Sequence, residues 1–322
     1  MLRVGLHGTN GHQIHNALVA HPLAKLVALS DFPADKLPPA LRADASIRHH
    51  ATFDALLADP NVDLVVLCSA RRADQAGDAL RALRAGKHVL AEKPSALVES
   101  DLDALLAAAH DTGRVFREMA GTAFAQPYLA MREIILAGRI GEVVQIISEK
   151  SYPCFDGRPQ DEALDGGLIA QNAIHALRFV EHVAGTPIAS IRAVETTLGN
   201  PVPGGGLRIA ASLLLTLKNG GVASLAANYL NPRGTGVWGD ECLKVLGTLG
   251  IVESRAGGAF TRLVVGDTDH GPLDVSVPHS SWLDLFFGSL LGRVAMPLTP
   301  DEELSPTRWA LRARRDAASR VT

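Results

Sequence analysis

Cysteine is scarce in this chain of 322 residues, and its few cysteines lie far apart. Cys68, Cys154 and Cys242 form no CxxC pair, so the pattern argues against a disulfide framework and against a structural zinc site. We interpret all three as packing residues of a protein from a reducing compartment.

The sequence also lacks an excess of positive charge and a long apolar run. Lys and Arg number 31 against 34 Asp and Glu, and the net charge of −3 argues against nucleic acid or an anionic membrane as a partner. The longest apolar stretch, residues 209–217, is too short to cross a bilayer. The first residues form a strand pattern without the features of a secretory signal, so we expect a cytoplasmic protein.

Strand and helix patterns alternate along the first 120 residues. Four continuous apolar runs are typical of parallel strands that are buried on both faces. These runs occupy residues 2–6, 26–30, 62–69 and 88–92. One helical stretch between them ends at Gly86 as a C-cap, and another begins with an approximate capping box of Ser100 and Asp103. The alternation predicts an α/β domain, with a doubly wound parallel sheet, over residues 1–120.

After residue 120 the pattern changes to hairpins. Asn219 and Gly220 separate two strand runs, and both residues tolerate positive φ, which is a strong hairpin signal. Residues 242–254 predict a second hairpin, and two helical stretches follow it. We therefore expect residues 121–322 to form an α+β domain, with a mostly antiparallel sheet and helices on one face.

A glycine-rich segment, "VGLHGTNGH", follows the first strand run, where a dinucleotide fold binds pyrophosphate. Backbone N–H groups of such a loop approach the phosphate oxygens, and a helix that starts there adds partial positive charge. We assign cofactor binding to Gly8, Thr9, Asn10, Gly11 and His12. Read as GxGxxG from Gly8, the segment has Asn10 and Gln13 at the second and third glycine positions, so it departs from the motif.

Asp31 supports the interpretation as a nucleotide site. It ends the second strand run, 23 residues after Gly8. A carboxylate at this point accepts hydrogen bonds from the ribose diol and repels a 2′-phosphate, so we expect NAD rather than NADP. Although His7, His12 and His15 crowd the loop, no carboxylate or cysteine completes a metal-binding set, and we expect no metal.

The fourth strand run leads directly into Glu92, Lys93 and Pro94. Ligands of a doubly wound sheet bind at the carboxyl ends of its strands, so Lys93 would lie where the nicotinamide ring binds. A lysine there can exchange a proton with a substrate hydroxyl, and Pro94 restricts the backbone that aims it. A solvated lysine after a strand is the competing interpretation, and the tripeptide alone does not decide between the two.

Four segments occur in order along the chain: "ALRALRAGKHVLAEKP", "PYLAMREIILAGRIGEVVQI", "DGGLIAQNAIHALRFVEHVAG" and "LKVLGTLGIVES". In this order they resemble the glucose–fructose oxidoreductase/inositol dehydrogenase/MocA (Gfo/Idh/MocA) family. The resemblance implies a Rossmann domain followed by an α+β domain whose open sheet commonly joins subunits, and hence a homodimer or homotetramer. It also implies hydride transfer between a nicotinamide cofactor and a sugar, polyol or related small molecule.

The resemblance implies catalytic residues as well. Lys93 matches the family's catalytic lysine, and His175 matches the acid–base histidine, whose ordinary pKa near neutrality suits proton transfer. Gln171, one helical turn before His175, stands where many members have aspartate; an amide can orient the imidazole but cannot relay its proton. The sequence "SARR" from Ser69 replaces the family's threonine–proline, and we assign Ser69 and Glu92 to cofactor binding.

Substrate contacts are expected from the segment after residue 150. Tyr152, Asp156 and Arg158 can hydrogen-bond the hydroxyls or a carboxylate of a substrate, although a solvated loop accounts equally well for each of them. We interpret Trp238 and Tyr229 as sheet or interface residues rather than as platforms for a sugar ring.

Three functions remain open at this point. The first is an NAD(P)-dependent dehydrogenase that acts on CH–OH groups. The second is a redox-neutral lyase, epimerase or glycosidase with tightly bound NAD, which the absence of an aspartate at Gln171 suggests. The third is a non-catalytic nucleotide-binding sensor, for which Lys93→Ala would leave function intact while Asp31→Ala would destroy it.

Overall fold

The apolar runs of the first half form a six-stranded sheet. Its strands are β1 (Leu2–His7), β2 (Ala24–Ser30), β3 (Arg48–His50), β4 (Leu64–Leu67), β5 (His88–Ala91) and β6 (Phe116–Glu118). In the computed structural model, which describes residues 1–119, 121–155 and 157–320, the order is β3-β2-β1-β4-β5-β6 and every pairing is parallel. All of β4 is buried, which explains its continuous apolar sequence. The prediction of a doubly wound sheet is confirmed.

Helices alternate with these strands and continue into the second half. They are α1 (Pro39–Arg42), α2 (Phe53–Leu57), α3 (Gln75–Arg84), α4 (Glu99–Thr112), α5 (Tyr128–Leu136), α6 (Glu162–Asp165), α7 (Ile174–Arg178), α8 (Trp282–Leu290) and α9 (Pro300–Ala318). Helix α3 ends as the sequence predicts. Gly86 has a φ of +77°, and the N–H of Lys87 donates to the Ala82 oxygen at 3.0 Å.

The start of α4 differs from the prediction. The helix begins at Glu99, directly after the extended Val98, and no side chain caps it. Ser100 lies inside the first turn, so the predicted capping box is wrong. The two acidic residues of that turn, Glu99 and Asp101, favour the helix start instead, because negative charge is stabilised at a helix N-terminus.

A second sheet of eight strands follows. Its strands are β7 (Val143–Ser151), β8 (Ile188–Thr196), β9 (Ala210–Leu217), β10 (Val222–Asn228), β11 (Asp240–Gly247), β12 (Gly250–Arg255), β13 (Phe260–Val265) and β14 (Thr268–Gly271), in the order β14-β13-β12-β11-β7-β10-β9-β8. Within this sheet, β7 and β10 are the only described neighbours that pair in parallel. Asn219 and Gly220 join β9 to β10, and Gly220 has a φ of +90°, so the predicted hairpin is confirmed.

The two faces of the second sheet differ in burial. In β9, Leu213 and Leu215 are buried while Leu214 between them is 63 % exposed. The helical segment 169–183, in which α7 is flanked by wider π-type turns, covers the buried face through contacts with β7 and β10. The opposite face, called the open face below, carries exposed side chains such as that of Leu214 among the described residues.

The described residues group into two compact units. The first comprises residues 1–119, 163–165 and 282–304, and the second comprises the rest. No helix in the described part of the chain combines the length and apolar character needed to span a membrane.

Candidate active site

The loop after β1 packs closely against neighbouring strand ends at two glycines. Gly8 has a φ of +70°, and a Cβ there would lie 2.1 Å from the main-chain oxygen of Cys68, just after β4. Gly11 has a φ of +126°, and its Cβ would lie 2.5 Å from Cγ of Glu92. Both positions therefore require glycine. The two glycines let the loop pass close to the carboxyl ends of β4 and β5.

Thr9, Asn10 and His12 complete the predicted phosphate loop. The Asn10 side chain donates to two main-chain oxygens within 3.1 Å. The N–H of His12 donates to a carboxylate oxygen of Glu92 at 2.9 Å. The Thr9 hydroxyl accepts a hydrogen bond from Lys36 at 3.3 Å, so one cation reaches the loop directly.

Gln13 occupies the position of the motif's third glycine and ties the loop to the sheet. Its Nε2 lies 3.0 Å from the main-chain oxygens of His7 and Gly8 and 3.2 Å from that of Val66. The departure from GxGxxG therefore has a structural reason, since the carboxamide joins β1 and β4 beneath the loop.

The helix expected after this loop is not formed. The chain makes only a four-residue 3-10 turn, His15–Leu18. His12, His15 and Asn16 are weak helix formers, and a short segment of such residues does not compensate for the cost of helix nucleation. A helix dipole therefore does not contribute, and loop amides and side chains would have to bind a phosphate.

Asp31 lies one residue beyond the end of β2. It is exposed, and its φ of +48° is left-handed, a conformation that aspartate tolerates better than most residues. Its carboxylate is at the sheet edge where a ribose diol was expected. Lys36, five residues further on, adds a positive charge beside the same loop.

Glu92 follows β5 and is 2 % exposed. Besides the His12 N–H, it contacts the His12 ring, whose Nδ1 lies 3.1 Å from the carboxylate. Burial by itself raises the pKa of this carboxyl. The hydrogen bond from His12 and the positive charges of Lys93 and Arg72 outweigh burial and lower the pKa of Glu92 to about 2.

Lys93 is 3 % exposed, so it is not a solvated lysine that happens to follow a strand. Its ammonium carries a charge that acts on the neighbouring Glu92 carboxylate. Lys93 therefore lies buried at the carboxyl end of β5, beside the edge strand β6, and its exchange of a proton with a ligand stays a prediction.

Arg72 and Gln75 join the loop to the strand end, and the sequence interpretation did not assign either a role. The Arg72 guanidinium donates to the Asn10 oxygen at 2.7 Å and to the side-chain oxygen of Gln75. The amide of Gln75 donates to the main-chain oxygens of Glu92 and, at 3.1 Å, of Pro94. Arg72 lies in the turn before α3, and Gln75 is the first residue of α3. Their spacing of three residues is the sequence signal that could have indicated this contact.

Ser69 has a different environment from the one predicted. It is 1 % exposed, and its hydroxyl donates to Asp78 at 2.8 Å. Because the hydroxyl is engaged with α3, a contribution of Ser69 to cofactor binding would come from its backbone.

The residues of the first unit fit a dinucleotide. The loop has no room for a Cβ at Gly8 or Gly11. Asp31 offers an exposed carboxylate to a ribose, while Lys36 and Arg72 supply positive charge on either side of the loop. The first unit thus has the donors and acceptors that a nicotinamide dinucleotide requires.

His175 and Gln171 lie one turn apart on the helical segment 169–183. The Tyr152 hydroxyl lies 3.3 Å from Nε2 of His175, and the Tyr229 hydroxyl donates to the Gln171 oxygen at 3.2 Å. Two tyrosines that come from different strand ends therefore contact the predicted catalytic pair.

Tyr152 is 8 % exposed and lies beside a buried ion pair. The Lys150 ammonium is 4.7 Å from the centroid of the Tyr152 ring and 2.6 Å from a carboxylate oxygen of Glu241. The hydroxyl of Tyr152 is thus held between the imidazole and the sheet. A direct contact with a substrate hydroxyl remains a prediction.

Arg158 is buried against aromatic rings, whereas Asp156 lies outside the described residues. The Arg158 guanidinium carbon is 3.7 Å from the centroid of the Tyr229 ring and 4.7 Å from that of Phe155. Tyr229, interpreted from the sequence as a sheet or interface residue, thus contacts both Arg158 and Gln171 of the candidate site.

Trp238 is 60 % exposed and belongs to the same aromatic group. Its ring centroid lies 6.4 Å from that of Tyr152 and 6.1 Å from that of Phe155. Trp238 is therefore an exposed indole beside a predicted substrate residue, and its interpretation as a sheet or interface residue stays a prediction.

The histidines near the phosphate loop pack against rings. His7 stacks on Phe53 at 4.2 Å and contacts the Ser30 hydroxyl at 2.9 Å, and His15 meets Phe32 edge-on at 5.3 Å. Among the described residues, no group of three His, Cys, Asp or Glu side chains could hold a metal ion.

Two family models match the sequence. A model described as an oxidoreductase family with an NAD-binding Rossmann fold matches residues 2–119, and a model of the GFO/IDH/MocA C-terminal domain matches residues 128–253. Between them they cover the first sheet, strands β7 to β11 and most of β12.

Curated relatives carry the names of reductases and dehydrogenases. The dTDP-3,4-didehydro-2,6-dideoxy-alpha-D-glucose 3-reductase of Streptomyces violaceoruber is 34 % identical over 138 residues, which are 42 % of this chain and 40 % of that protein. The inositol 2-dehydrogenase of Rhizobium meliloti is 28 % identical over 260 residues, 79 % of this chain and 76 % of that protein. The chain spans about two fifths of the length of the first curated relatives it matches.

Solved structures share the fold over nearly the whole chain. An aldose-aldose oxidoreductase from Caulobacter crescentus has a TM-score of 0.80 at 21 % identity, with 99 % of this chain and 98 % of that chain covered. A UDP-N-acetylglucosamine 3-dehydrogenase from Acidithiobacillus ferrooxidans has a TM-score of 0.76 at 21 % identity, with the same coverage. At these identities the likeness shows the fold and leaves the substrate open.

Proposed function

This chain belongs to the Gfo/Idh/MocA oxidoreductase family, and we propose that it transfers hydride between a nicotinamide cofactor and a hydroxyl carbon of a sugar, polyol or sugar derivative. The observation that carries the proposal is the burial of Lys93, which is 3 % exposed at the carboxyl end of β5. The Lys93 ammonium is enclosed beside the Glu92 carboxylate, so this lysine does not simply solvate a surface.

The cofactor supplies the hydride acceptor, or in the reverse direction the hydride donor, when it is bound. Gly8, Gly11 and the amides between them would hold its pyrophosphate, and Asp31 would hold the adenosine ribose. NAD is favoured over NADP because the Asp31 carboxylate would repel a 2′-phosphate. Lys36, which reaches Thr9 at 3.3 Å, opposes that preference in part.

Lys93 and His175 would both take part in proton transfer. When the substrate is oxidised, its hydroxyl must lose a proton as the carbon loses hydride, and a buried ammonium–amine or an imidazole can take that proton. Tyr152 contacts the imidazole at Nε2 and would help to orient the ring. Gln171, held by Tyr229, contributes orientation and no charge.

Small-molecule substrates of this kind agree with the names of the relatives. These names include a dTDP-sugar 3-reductase, a 1,5-anhydro-D-fructose reductase and inositol 2-dehydrogenases. We extend to this chain only the shared chemistry, a hydroxyl or carbonyl carbon on an oxygenated ring.

We further propose that the open face of the second sheet joins copies of this chain into a homodimer or homotetramer. Apolar side chains on and around this face are exposed, among them Leu214 at 63 %, Val222 at 46 % and Ile147 at 43 %. Contiguous exposed apolar surface of this kind marks an interface. Light scattering of the purified protein should give a mass of two or four chains, and a monomer at micromolar concentration would refute the proposal.

The test of the function is an assay of cofactor reduction. Purified protein is incubated with NAD or NADP and a panel of sugars, polyols and sugar acids while reduced nicotinamide is followed by absorbance. We expect reduction with at least one compound, and a higher kcat/KM with NAD than with NADP. Turnover without release of reduced cofactor would instead favour the redox-neutral enzyme, and the absence of both turnover and cofactor binding would contradict the proposal.

A further inference from the structure

Arg158 is a buried cation whose environment is mostly aromatic. It is 7 % exposed, and its guanidinium lies over the ring of Tyr229 and beside that of Phe155. Stacking of this kind holds the plane of the guanidinium and leaves its edge, where the N–H donors are, for other partners.

Among the described residues, few of those donors have a partner. One terminal nitrogen approaches the Pro153 oxygen at 3.4 Å, a long contact, and the buried Nε–H has no hydrogen-bond partner among the described residues. No described carboxylate lies within ion-pair distance of Arg158. A guanidinium has five N–H donors, so most of its capacity is left for something else.

Two other buried cations in the described part of the chain have a carboxylate partner. Arg117 meets Glu303 at 3.3 Å, and Lys150 meets Glu241 at 2.6 Å. Burying a charge without a counter-charge is unfavourable, and structures keep such groups where a ligand supplies the missing charge. Arg158 differs from these two cations.

Arg158 also belongs to the wall that carries the predicted catalytic residues. The ring of Tyr229 stacks on Arg158, and its hydroxyl binds Gln171, one turn before His175 on the same helical segment. A group held by Arg158 would therefore be part of a molecule that reaches the His175 side of the second unit.

From this arrangement we propose that Arg158 binds an anionic group of the substrate, so that the enzyme acts on a sugar acid or a sugar phosphate rather than on a neutral sugar. The inference rests on the proposed function. Carboxylate and phosphate share the chemistry that matters, an oxyanion with two oxygens that can accept parallel N–H bonds from one guanidinium.

The experiment compares matched ligands by calorimetry. NAD-loaded protein is titrated with D-glucose, D-glucuronate and D-glucose 6-phosphate, which differ only at the sixth carbon. We expect at least one anionic member to bind about tenfold to a hundredfold more tightly than glucose, as charge-assisted hydrogen bonds provide. A preference for glucuronate identifies a carboxylate, and a preference for the phosphate identifies a phosphoryl group.

Variants of Arg158 assign the preference to this side chain. Arg158→Gln should abolish the preference for the anion, and Arg158→Lys should keep part of it. Arg255→Gln is the matched control, because Arg255 also lies over an aromatic ring, Phe260 at 4.3 Å, but is exposed. Equal affinity for the neutral and anionic members, absence of binding by all three, or a preference that survives in Arg158→Gln would overturn the inference.

The stability of Arg158→Gln provides a readout that does not depend on any ligand. If the guanidinium is retained for a ligand, its neutral replacement leaves the unfolding midpoint unchanged or raises it. A clear loss of stability would show that Arg158 is a structural residue and would contradict the inference.

The outcomes for the two proposals are distinct. Selective binding of an anion without reduction of NAD leaves the role of Arg158 intact while the dehydrogenase proposal fails. Reduction of NAD by a neutral sugar with the same kcat/KM in Arg158→Gln and wild type refutes the role of Arg158 and keeps the dehydrogenase.

Discussion

Two buried arginines, one in each unit, show how differently the two predicted binding regions are built. Arg72, 3 % exposed, donates to the Asn10 oxygen at 2.7 Å and to Gln75, and so holds the phosphate loop against the strand end. Arg158, 7 % exposed, rests on aromatic rings, and its hydrogen bond within the described residues is a long one of 3.4 Å to the Pro153 oxygen. The first region is a connected network, whereas the second, on our proposal, keeps guanidinium donors for a ligand.

The comparison has a consequence for mutations. Changes in the network around Arg72 should cost folding stability together with cofactor binding, because the same bonds serve both. Changes around Arg158 and Tyr152 should alter substrate preference and pH dependence with little effect on stability. Four substitutions test this division, in order of decreasing effect.

Lys93→Met should have the largest effect. If the ammonium exchanges the substrate proton, kcat should fall by about 10²–10⁴-fold, the range of general acid–base catalysis, while NAD still binds. Lys25→Met is the control, since Lys25 is an exposed lysine in β2 of the same unit. Loss of less than half of the activity in Lys93→Met would show that the buried lysine has no catalytic part.

Glu92→Gln tests whether the Glu92 carboxylate stabilises the hydrogen-bond network around the phosphate loop. The readout is the pH dependence of the free energy of unfolding. The pKa of Glu92 is lowered from an ordinary 4.5 to about 2, so its ionised form stabilises the fold above about pH 4.5. Each pKa unit corresponds to about 1.36 kcal/mol, so the lowered pKa of Glu92 contributes about 3 kcal/mol at most to the free energy of unfolding. The stability deficit of Glu92→Gln should therefore be largest at pH 7 and shrink as the pH falls toward 2.

Urea unfolding of both proteins at pH 7, 5 and 3 measures that deficit. Glu133→Gln, at an exposed carboxyl on α5, is the control and should show no trend with pH. A deficit of the same size at pH 7 and pH 3 would mean that the charge of Glu92 does not hold the network together.

Gly11→Ala should lose about 1–3 kcal/mol of unfolding free energy, the usual cost of an unfavourable backbone conformation. The added Cβ would lie 2.5 Å from Cγ of Glu92, at a φ of +126°. Gly77→Ala is the matched control, because no atom lies within 4 Å of its Cβ and alanine favours the helix. Calorimetric midpoints should move in opposite directions, and equal midpoints would refute a close fit at Gly11.

Tyr152→Phe should have the smallest effect on the fold and a specific effect on catalysis. It removes the hydroxyl 3.3 Å from Nε2 of His175, so the pH profile of kcat should shift while unfolding free energy changes by less than about 1.5 kcal/mol. Tyr229→Phe removes a hydroxyl bound to Gln171, which does not titrate, and should leave the profile in place. Identical profiles for Tyr152→Phe and wild type would separate Tyr152 from the proton transfer.

The parts of the fold that were predictable from the sequence depend on local or periodic signals. Continuous apolar runs predicted the parallel strands, and Asn219-Gly220 predicted the β9–β10 hairpin. The errors arose where two local signals competed. Ser100 was assigned as a cap, but the acidic residues around it start the helix, and the loop at Gly11 leads into a 3-10 turn because its residues are weak helix formers.

The candidate site was predictable only where single residues matched a known pattern. Lys93, His175 and Asp31 could be assigned from their positions in motifs. The bonds of Gln13 to three main-chain oxygens, or the stacking of Arg158 on Tyr229, join residues far apart in sequence. No periodicity or spacing reports such contacts, so they needed the three-dimensional structure.

The most direct measurement of the central claim follows the hydride itself. Compounds that reduce the cofactor in the panel are prepared with deuterium at each CH–OH carbon and incubated with the protein and NAD, and the cofactor is analysed by mass spectrometry. We predict that reduced nicotinamide gains deuterium from one of these carbons in the wild type, and that Lys93→Met suppresses the transfer. Turnover of the substrate with no deuterium found in the cofactor, free or protein-bound, would contradict the account.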